Sequence, residues 1–275
     1  MPVELGRYGI WLGAGELTDT LAREAERLGF GALWVGRSPR GELAEVEAAL
    51  EVTESLVLAT GIVNVWREEA ATVAASYHRI ERRHPGRFVL GIGIGHPEST
   101  KEYDDPFATL GGYLDGLAAA GVPGERTVLA ALGPRVLRLA ADRTAGAHPY
   151  LTTPRHTRTA REVIGDGPLL APEQTVVAGM DPSESLRLGR SFVARYLRLV
   201  NYRNNLLREG WTESDLADGG SDRLVDELVL TGSAAGIAAG VDAHLEAGAD
   251  HVTIQDLGPD KSTAYRILAE AVIGK

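Results

Sequence analysis

The sequence predicts an α/β protein of the TIM-type (β/α)8 barrel class, with a helical insertion between strands 7 and 8. Short β-branched or apolar runs alternate with longer segments of helical periodicity along the chain. Such alternation is typical of parallel strands joined by right-handed helical crossovers. Eight strand–helix units need roughly 250 residues as a closed barrel, and the chain has 275. An open, doubly wound sheet is the alternative for the same pattern.

Each candidate strand is an apolar run bounded by glycine or polar residues. The helices between them carry apolar residues on one face; in the first, Leu21 and Leu28 share a face and Gly29 ends the helix. Residues 68–83 and 232–248 show the same pattern. In chain order the candidate strands are RYGIWL (7–12), GALWVG (31–36), LVLATGIVNVW (56–66), RFVLGIGIG (87–95), RTVLAAL (126–132), GAHPYLTT (146–153), PLLAPEQTVVAG (168–179) and HVTIQDL (251–257).

The alternation breaks after the seventh strand, where residues 181–229 supply several helical segments. Asp181, Pro182 and Glu184 fit an N-cap, a first helical residue and a capping-box partner. We expect this insertion to cover the barrel mouth or to form a dimer contact. Because no linker or low-complexity tract interrupts the chain, residues 1–275 are expected to form one domain.

Composition excludes several classes of site and partner. The chain contains no cysteine, which excludes disulfides, thiolate metal sites and a cysteine nucleophile. A formal net charge of −10 opposes non-specific attraction to nucleic acid or anionic lipid. No segment offers about eighteen uncharged apolar residues, and the first residues do not resemble a secretory signal. We therefore expect a cytoplasmic protein whose partner is a small molecule, with no nucleic acid and no membrane.

The residues that follow the predicted strands indicate the chemistry, because barrel active sites lie at the carboxyl ends of the strands. The seven histidines show neither HxH nor HExxH spacing, so no metal site is expected. No GxSxG elbow or evident Ser/His/Asp set is present. Glycine, aromatic and amide groups dominate these positions, which suits an organic cofactor that brings its own reactivity.

A run of alternate glycines, in LGIGIGHPE, ends the fourth predicted strand. Gly91, Gly93 and Gly95 are succeeded by His96 and Pro97 rather than by a third glycine that opens a helix, so the dinucleotide-binding fingerprint is not met. Alternate glycines on a barrel strand either leave space for a flat ring or allow close packing of neighbouring elements. Both interpretations remain open from the sequence.

The stretch ALGPRVL predicts a turn that opens a helix. Gly133 frees the turn, Pro134 suits the first helical position, and the next free amides with Arg135 would face an anion such as a phosphate. An ordinary helix start that binds nothing has the same sequence pattern.

Seven segments, in order and over nearly the whole chain, resemble the luciferase-like monooxygenase superfamily. They are LGFGALWVG, LVLATGIVNVW, GRFVLGIGIGHPE, VLAALGPRVLRLAADRTAGAHPYLTTPRHTRTAREVIG, LLAPEQTVVAG, NYRNNL and GADHVTIQ. Within the superfamily the sequence resembles an actinobacterial branch assigned to the deazaflavin coenzyme F420. The resemblance implies a TIM-type barrel with a deazaflavin or flavin at its C-terminal mouth.

The resemblance also implies which residues bind the cofactor. A non-prolyl cis peptide commonly ends the third strand in this superfamily and contacts the central ring, and Gly61–Ile62 matches it. Residues 132–135 match the phosphate-binding turn. The full set of predicted cofactor-binding residues is Gly36, Gly61, Ile62, Asn64, Gly95, Leu132, Gly133, Pro134 and Arg135.

The predicted catalytic residues are His96, Glu98 and Arg37. F420 enzymes of the superfamily often place Asp or His after the second strand, whereas this sequence has Gly36, Arg37 and Ser38. Some relatives carry a catalytic Glu after the fourth strand, where this chain offers His96 and Glu98. His96 is the first candidate because the pKa of histidine lies near neutrality. A role for His96 in capping the turn is the alternative.

These observations predict an F420-dependent oxidoreductase that transfers a hydride between C5 of the deazaflavin and an organic substrate. An FMN-dependent luciferase-like monooxygenase is one alternative. A non-catalytic flavin- or deazaflavin-binding protein is another, since the usual acidic or imidazole group after the second strand is missing. Homodimers are common in the superfamily, so the resemblance implies a homodimer.

Overall fold

Parallel strand pairing organises the structure, a computed structural model that describes residues 4–100 and 103–274. The strands are β1 Tyr8–Gly13, β2 Ala32–Gly36, β3 Val57–Gly61, β4 Val63–Asn64, β5 Phe88–Gly93, β6 Thr127–Leu129, β7 Gly146–Ala147, β8 Leu169–Leu170, β9 Glu173–Val176, β10 Val229–Leu230 and β11 Val252–Asp256. The helices are α1 Asp19–Leu28, α2 Ala44–Glu51, α3 Ala70–Arg83, α4 Pro106–Ala119, α5 Pro134–Arg143, α6 Pro154–Ile164, α7 Pro182–Tyr196, α8 Val200–Arg208, α9 Glu213–Leu216, α10 Asp222–Leu228, α11 Ala234–Glu246 and α12 Lys261–Val272.

The strands close into a ring. From β1 the pairing runs through β2, β3, β5, β6 and β7 to β8 on one side, and through β11 to β9 on the other. β8 and β9 are consecutive pieces of one extended run, residues 169–176, so this run joins the two ends of the sheet. The predicted (β/α)8 barrel is confirmed, and the open doubly wound sheet is wrong.

Several strands are shorter than the sequence predicts. The strand predicted over 146–153 ends at Ala147, because Pro149 has no N–H to donate and Leu151 adopts a left-handed conformation with φ 54°. Pro172 separates β8 from β9 for the same reason. The interruption after β7 lies at the barrel mouth, where the released backbone carries His148 and Tyr150 into the cavity lining.

Strand residues alternate between two apolar layers, as the period of a β-strand requires. Leu33 and Leu58 belong to the large cluster that includes helix residues, and so lie between strands and helices. Trp34, Ala59 and Val89 belong to a cluster built mainly from strands, inside the barrel. All five side chains are buried.

The predicted helical insertion is confirmed over residues 181–229, where α7 to α10 and β10 precede α11 and β11. Asp181 caps α7, since its side chain accepts the first free N–H groups of the helix. Phe192, Trp211 and Leu224 form a separate apolar cluster that also contains Leu151 of the barrel mouth. This second core holds α7 and α8 against the carboxyl ends of the strands.

Among the described helices, none combines the length and the hydropathy needed to cross a bilayer.

Candidate active site at the barrel mouth

A cavity of about 560 Å³ opens at the carboxyl ends of the strands, between the barrel and the insertion. Residues from β1, β3 and β4 and from the loops that follow β2, β5, β6 and β7 meet residues of α7 and α8 there. Of the predicted site residues, those that line it are Arg37, Gly61, Ile62, Asn64, Gly95, His96, Leu132 and Gly133. Eight of the predicted site residues thus lie together at one cavity.

The wall near β3 is built around the Gly61–Ile62 bond, which is cis, as the resemblance implied. A Cβ atom on Gly61 would lie 2.8 Å from Nε1 of Trp11 and 3.0 Å from Nε2 of His148, so no larger residue fits without displacing them. A Cβ on Gly93 would lie 2.9 Å from the Ile62 side chain.

The alternate glycines of β5 serve close packing. A Cβ atom on Gly91 would lie 1.8 Å from the backbone oxygen of Thr60 on the neighbouring strand. A Cβ atom on Gly93 would likewise lie 2.9 Å from the side chains of Ile62 and Ala130. Of the two interpretations of this motif, close packing is therefore the one that the contacts support for Gly91 and Gly93, whereas Gly95 lines the cavity.

His148 is a buried neutral histidine in the cavity wall. Its Nδ1 lies 2.7 Å from the carbonyl oxygen of Ala171, and its ring stacks on Trp34 with centroids 4.2 Å apart. Burial lowers the pKa of His148 to about 4, so the ring is neutral at pH 7. Nδ1 then carries the proton, and Nε2 is an acceptor. Within the described residues, neither this Nε2 nor Nε1 of Trp11 has a hydrogen-bond partner.

Four aromatic rings, those of Trp11, Tyr150, Tyr196 and Tyr202, continue the cavity lining from β1 to the insertion. Tyr150 lies 5.3 Å from Trp11 and 5.5 Å from Tyr196, and Tyr196 lies 5.3 Å from Tyr202, measured between ring centroids. The Tyr150 hydroxyl donates to Oε1 of Gln255 at 2.6 Å. Burial raises the pKa of Tyr150 and Tyr202 well above the usual value, so both stay protonated. The hydroxyls of Tyr150 and Tyr196 already have partners, so this part of the lining is mainly apolar.

His96 lies in the cavity with its ring centroid 5.1 Å from that of Tyr202. Burial lowers the pKa of His96 below 6.5, and the nearby Glu98 carboxylate opposes this shift. The imidazole is therefore mainly neutral at pH 7 and can accept a proton. Among the predicted catalytic residues, His96 has the position and the protonation state that general base chemistry needs.

Glu98, which the sequence predicted as a catalytic residue, does not line the cavity. Its side chain is exposed and outside the cavity lining, and its Oε1 accepts the backbone N–H of Val200 at 2.8 Å. Nδ2 of Asn201 donates to the carbonyl of Gly95 at 3.0 Å. A carboxylate at the first residue of a helix stabilises the free N–H groups there. Glu98 thus holds α8 to the loop after β5, and its position gives no support to a catalytic role.

The end of β2 also differs from the prediction. A Cβ on Gly36 would lie 1.7 Å from the Trp11 ring, so Gly36 makes room for Trp11 rather than for a ligand. Arg37, with φ 57°, lines the cavity and pairs with Glu16 at 2.7 Å. Gly36 therefore acts on the site through Trp11, while Arg37 faces it directly.

The predicted phosphate turn has its backbone, but not its arginine, at the cavity. Gly133 is the N-cap of α5 and receives no side-chain cap, and a Cβ there would have open space except for Arg208 at 3.7 Å. Pro134 and Arg135 lie outside the lining, and the Arg135 guanidinium lies over the Phe107 ring at 4.4 Å. Arg208, from the insertion, occupies the place predicted for Arg135.

The cavity is cationic although the whole chain is acidic. Arg37, Arg67 and Arg208 line it, and no Asp or Glu of the described residues does. Neither Arg67 nor Arg208 forms an ion pair with a carboxylate in the described part of the chain. Within residues 4–100 and 103–274 no group of histidine and carboxylate side chains could hold a metal ion. The charge distribution therefore suits an anionic organic ligand.

Sequence reasoning did not select several residues that line the cavity. Trp11 and His148 lie within predicted strands, where an aromatic or imidazole ring is easily interpreted as core. The insertion residues gave a helical period and, at NYRNNL, a segment of the resemblance, and neither tells which face meets the barrel. The unselected lining residues that matter most are Trp11, His148, Tyr196, Tyr202 and Arg208.

Comparison with known proteins confirms the resemblance to the luciferase-like monooxygenases. The sequence model of that family matches residues 13–120. No curated protein sequence matches the chain.

Solved structures share the fold over the whole chain. An F420-dependent secondary alcohol dehydrogenase, in complex with an F420–acetone adduct, has a TM-score of 0.75 and 16% identity, covering 99% of both chains. The coenzyme F420-dependent tetrahydromethanopterin reductase from Methanopyrus kandleri has a TM-score of 0.72 and 16% identity, covering 98% of both. The oxygenating constituent of 3,6-diketocamphane monooxygenase from Pseudomonas putida, in complex with FMN, has a TM-score of 0.71 and 15% identity, covering 99% of both.

Proposed function

We propose that this luciferase-like barrel is an F420-dependent oxidoreductase acting on a small organic substrate. The observation that carries the proposal is the cavity at the barrel mouth, which is lined by three arginines and by no carboxylate of the described residues. Coenzyme F420, when bound, supplies a carbon centre that reversibly accepts or donates a hydride. The chain supplies binding, orientation and proton handling.

The cavity wall fits a heterocyclic ring. Gly61 and Ile62 form one side, and Nε1 of Trp11 and Nε2 of His148 adjoin Gly61 as a donor and an acceptor without partners in the described residues. Buried polar atoms normally have partners, so orphaned ones at a cavity point to a polar ligand. A ring that carries both carbonyl and N–H groups would complement this pair.

The cationic rim favours F420 over FMN. FMN carries one phosphate, whereas F420 carries a phosphate followed by a carboxylate-bearing tail. The Arg208 guanidinium beside the start of α5 suits one anionic group and Arg67 suits another, while Arg37 already pairs with Glu16. Because both cofactors occur on this fold, the fold alone does not separate them.

His96 would move the proton that accompanies hydride transfer. Its neutral imidazole accepts a proton from a substrate hydroxyl in one direction, and the imidazolium returns it in the other. The wall of Tyr150, Tyr196 and Tyr202 excludes water from that position. Arg37, beside the same cavity, would orient a polar group of the substrate.

Titration of the purified protein with oxidised F420 and with FMN, followed by fluorescence quenching, tests the proposal. Tight binding of F420 without binding of FMN supports it, and the reverse result supports an FMN-dependent monooxygenase. Failure to bind either cofactor overturns the cofactor assignment. Binding of F420 without turnover in a substrate screen would support a non-catalytic binding protein. Light scattering tests the homodimer that the resemblance implies.

A further inference from the structure

We propose that a second cavity, beside the candidate active site, binds a small organic monocarboxylate. This cavity has a volume of about 430 Å³ and lies between α7, the loop after β1 and the loop after β11. Trp11 and Arg37 line both cavities and therefore stand between them. The proposal does not depend on which cofactor the first cavity binds.

The floor of the second cavity carries a hydrogen-bond donor that the protein does not use. Gln255 is only 5% exposed, and it lines this cavity but not the first. Its Oε1 accepts from the Tyr150 hydroxyl at 2.6 Å, which orients the amide, and its Nε2 donates to none of the described residues. Because buried polar groups normally have partners, a free amide donor at a cavity points to an acceptor on a ligand.

Arg195 of α7 supplies a cation to the same cavity. Its guanidinium carbon lies over the rings of Phe192 and Tyr196, 5.8 and 5.9 Å from their centroids. Within the described part of the chain no carboxylate pairs with it. A guanidinium over aromatic rings keeps its planar set of N–H donors, which matches the two oxygens of a carboxylate.

The charges around the second cavity favour a ligand with a single negative charge. Arg37, Arg195 and Lys261 line it together with Glu16 and Asp256. Arg37 pairs with Glu16 at 2.7 Å, and Nζ of Lys261 lies 3.9 Å from Oδ2 of Asp256, so the charge of Arg195 is the one left without a counter-ion. Because two carboxylates already line the cavity, they repel a phosphate dianion more strongly than a singly charged carboxylate.

The rest of the lining suits the hydrocarbon part of such a ligand. Its apolar members come from α7 and from the loop after β11, and they are Leu188, Phe192, Leu257 and Pro259. Ligand sites commonly combine an apolar lining with a few polar groups that orient the ligand. Arg195 and Gln255 would orient the carboxylate, and the apolar side chains would contact the remainder.

The test measures the Kd of benzoate for the full-length protein without cofactor, by isothermal titration calorimetry. Benzyl alcohol, which has the same ring without the charge, and inorganic phosphate are the comparison probes. We expect saturable binding of benzoate that is about tenfold tighter than that of either comparison probe. Absence of saturable benzoate binding overturns the proposal, as does a comparison probe that binds as tightly as benzoate.

Variants test whether Arg195 and Gln255 hold the carboxylate. A hydrogen bond to a charged group is worth about tenfold or more in affinity, so Arg195→Gln should raise the Kd of benzoate by about that factor. Gln255→Met removes the amide donor at nearly constant length and should raise the Kd roughly three- to tenfold. Arg187→Gln, on the same helix but outside both cavity linings, is the matched control and should change the Kd by less than about twofold. An unchanged Kd in Arg195→Gln, whose side chain is exposed and not needed for the core, overturns the proposal.

Oxidised F420 distinguishes a free carboxylate from the carboxylates of the cofactor's own tail. If saturating F420 leaves the Kd of benzoate unchanged, the second cavity is a separate site, as proposed. If F420 displaces benzoate competitively, the tail reaches this cavity and the assignment to a separate ligand fails. A protein that binds benzoate in an Arg195-dependent manner but takes neither F420 nor FMN would support this inference and overturn the cofactor assignment.

Discussion

Gly36 makes room for the ring of its neighbour Trp11. It ends β2, and the Trp11 ring occupies the space that a Cβ atom on Gly36 would need. Trp11 in turn lines the cavity. The glycine therefore shapes the site without contacting a ligand.

Substitution of Gly36 tests this role. In Gly36→Ala the methyl group would lie 1.7 Å from the Trp11 ring, so the ring must move, and overpacking of this kind costs about 1–3 kcal/mol. We expect a lower free energy of unfolding in urea and weaker binding of F420. Gly111→Ala is the control, because a Cβ there has nothing within 4 Å and lies inside α4. That variant should be neutral or more stable by up to about 1 kcal/mol. Equal stabilities would contradict the packing argument.

His96 is the residue for which geometry and protonation state agree. We expect His96→Ala to lower kcat by roughly 10²- to 10⁴-fold, as loss of a general base does, while the Kd for F420 changes far less. In the wild type the rate should rise with pH through a value below 6.5 and then level, because burial lowers the pKa of His96 and only the neutral ring accepts a proton.

A second histidine provides the control for that experiment. His78 contacts the carbonyl of Ala120 and lies outside the cavity lining, so His78→Ala should leave kcat unchanged. An unaltered rate in His96→Ala would remove the proposed role of His96.

At the scale of elements, α8 connects the insertion to three parts of the barrel. Its first residue is held by Glu98 of the loop after β5, and its last turn reaches Gly133 through Arg208 and Thr153 through Glu209. The same helix supplies Tyr202 to the aromatic wall. The insertion is thus part of the site.

The sequence was sufficient to predict the barrel, the insertion and the cis bond, because each depends on local pattern or on a strong resemblance. It was insufficient for the direction of individual side chains. Arg135 follows the predicted turn, but Phe107 of α4 attracts its guanidinium. Glu98 lies two residues from His96, yet it faces Val200 of α8. Both outcomes depend on elements far along the chain, which no local pattern specifies.

At Gly133, the N-cap of α5, a charged residue can be introduced without a change in the fold. Gly133 has φ −88°, which any residue adopts, and a Cβ there has room. Gly133→Asp would place a carboxylate near the Arg208 guanidinium, where it competes with a phosphate. We expect its affinity for phosphate and for F420 to fall by more than tenfold, with no loss of Tm because Asp is a favoured N-cap.

Gly133→Ala separates charge from size at the same position. It should keep the affinity for both probes within about threefold of the wild type, since the methyl group meets only Arg208 at 3.7 Å. If both variants lose affinity equally, crowding and not charge governs the turn, and the anion site is misplaced.

At the scale of the whole molecule, buried ionisable groups make stability depend on pH in two opposing ways. His148 and His251 are buried with pKa values lowered to about 4, so the unfolded chain binds their protons first as pH falls below 6.5, and stability is lost toward acid. Burial of Glu173 has the opposite effect, because its contribution to stability is lost as pH rises. It is buried in β9 beneath the tyrosine wall, with oxygens that accept from Thr175 and from the backbone of Leu151.

Glu173→Gln isolates the second effect. Burial raises the pKa of Glu173 from 4.5 to about 7, so between these values the folded state holds a proton that the unfolded state has released. The stabilisation from this proton is complete below 4.5 and is lost as pH rises through about 7. The glutamine variant stays neutral throughout, while the histidine contributions are common to both proteins and cancel.

The Tm of Glu173→Gln relative to the wild type should therefore rise by a few degrees between about pH 5 and about pH 8, as followed by circular dichroism. Glu246→Gln, which removes an exposed carboxyl at the end of α11, controls for the loss of one negative charge. A Tm difference that stays constant across this range would mean that Glu173 is already ionised in the folded state. In that case water or a further donor must reach the carboxylate beneath the tyrosine wall, and the wall would not exclude water as proposed.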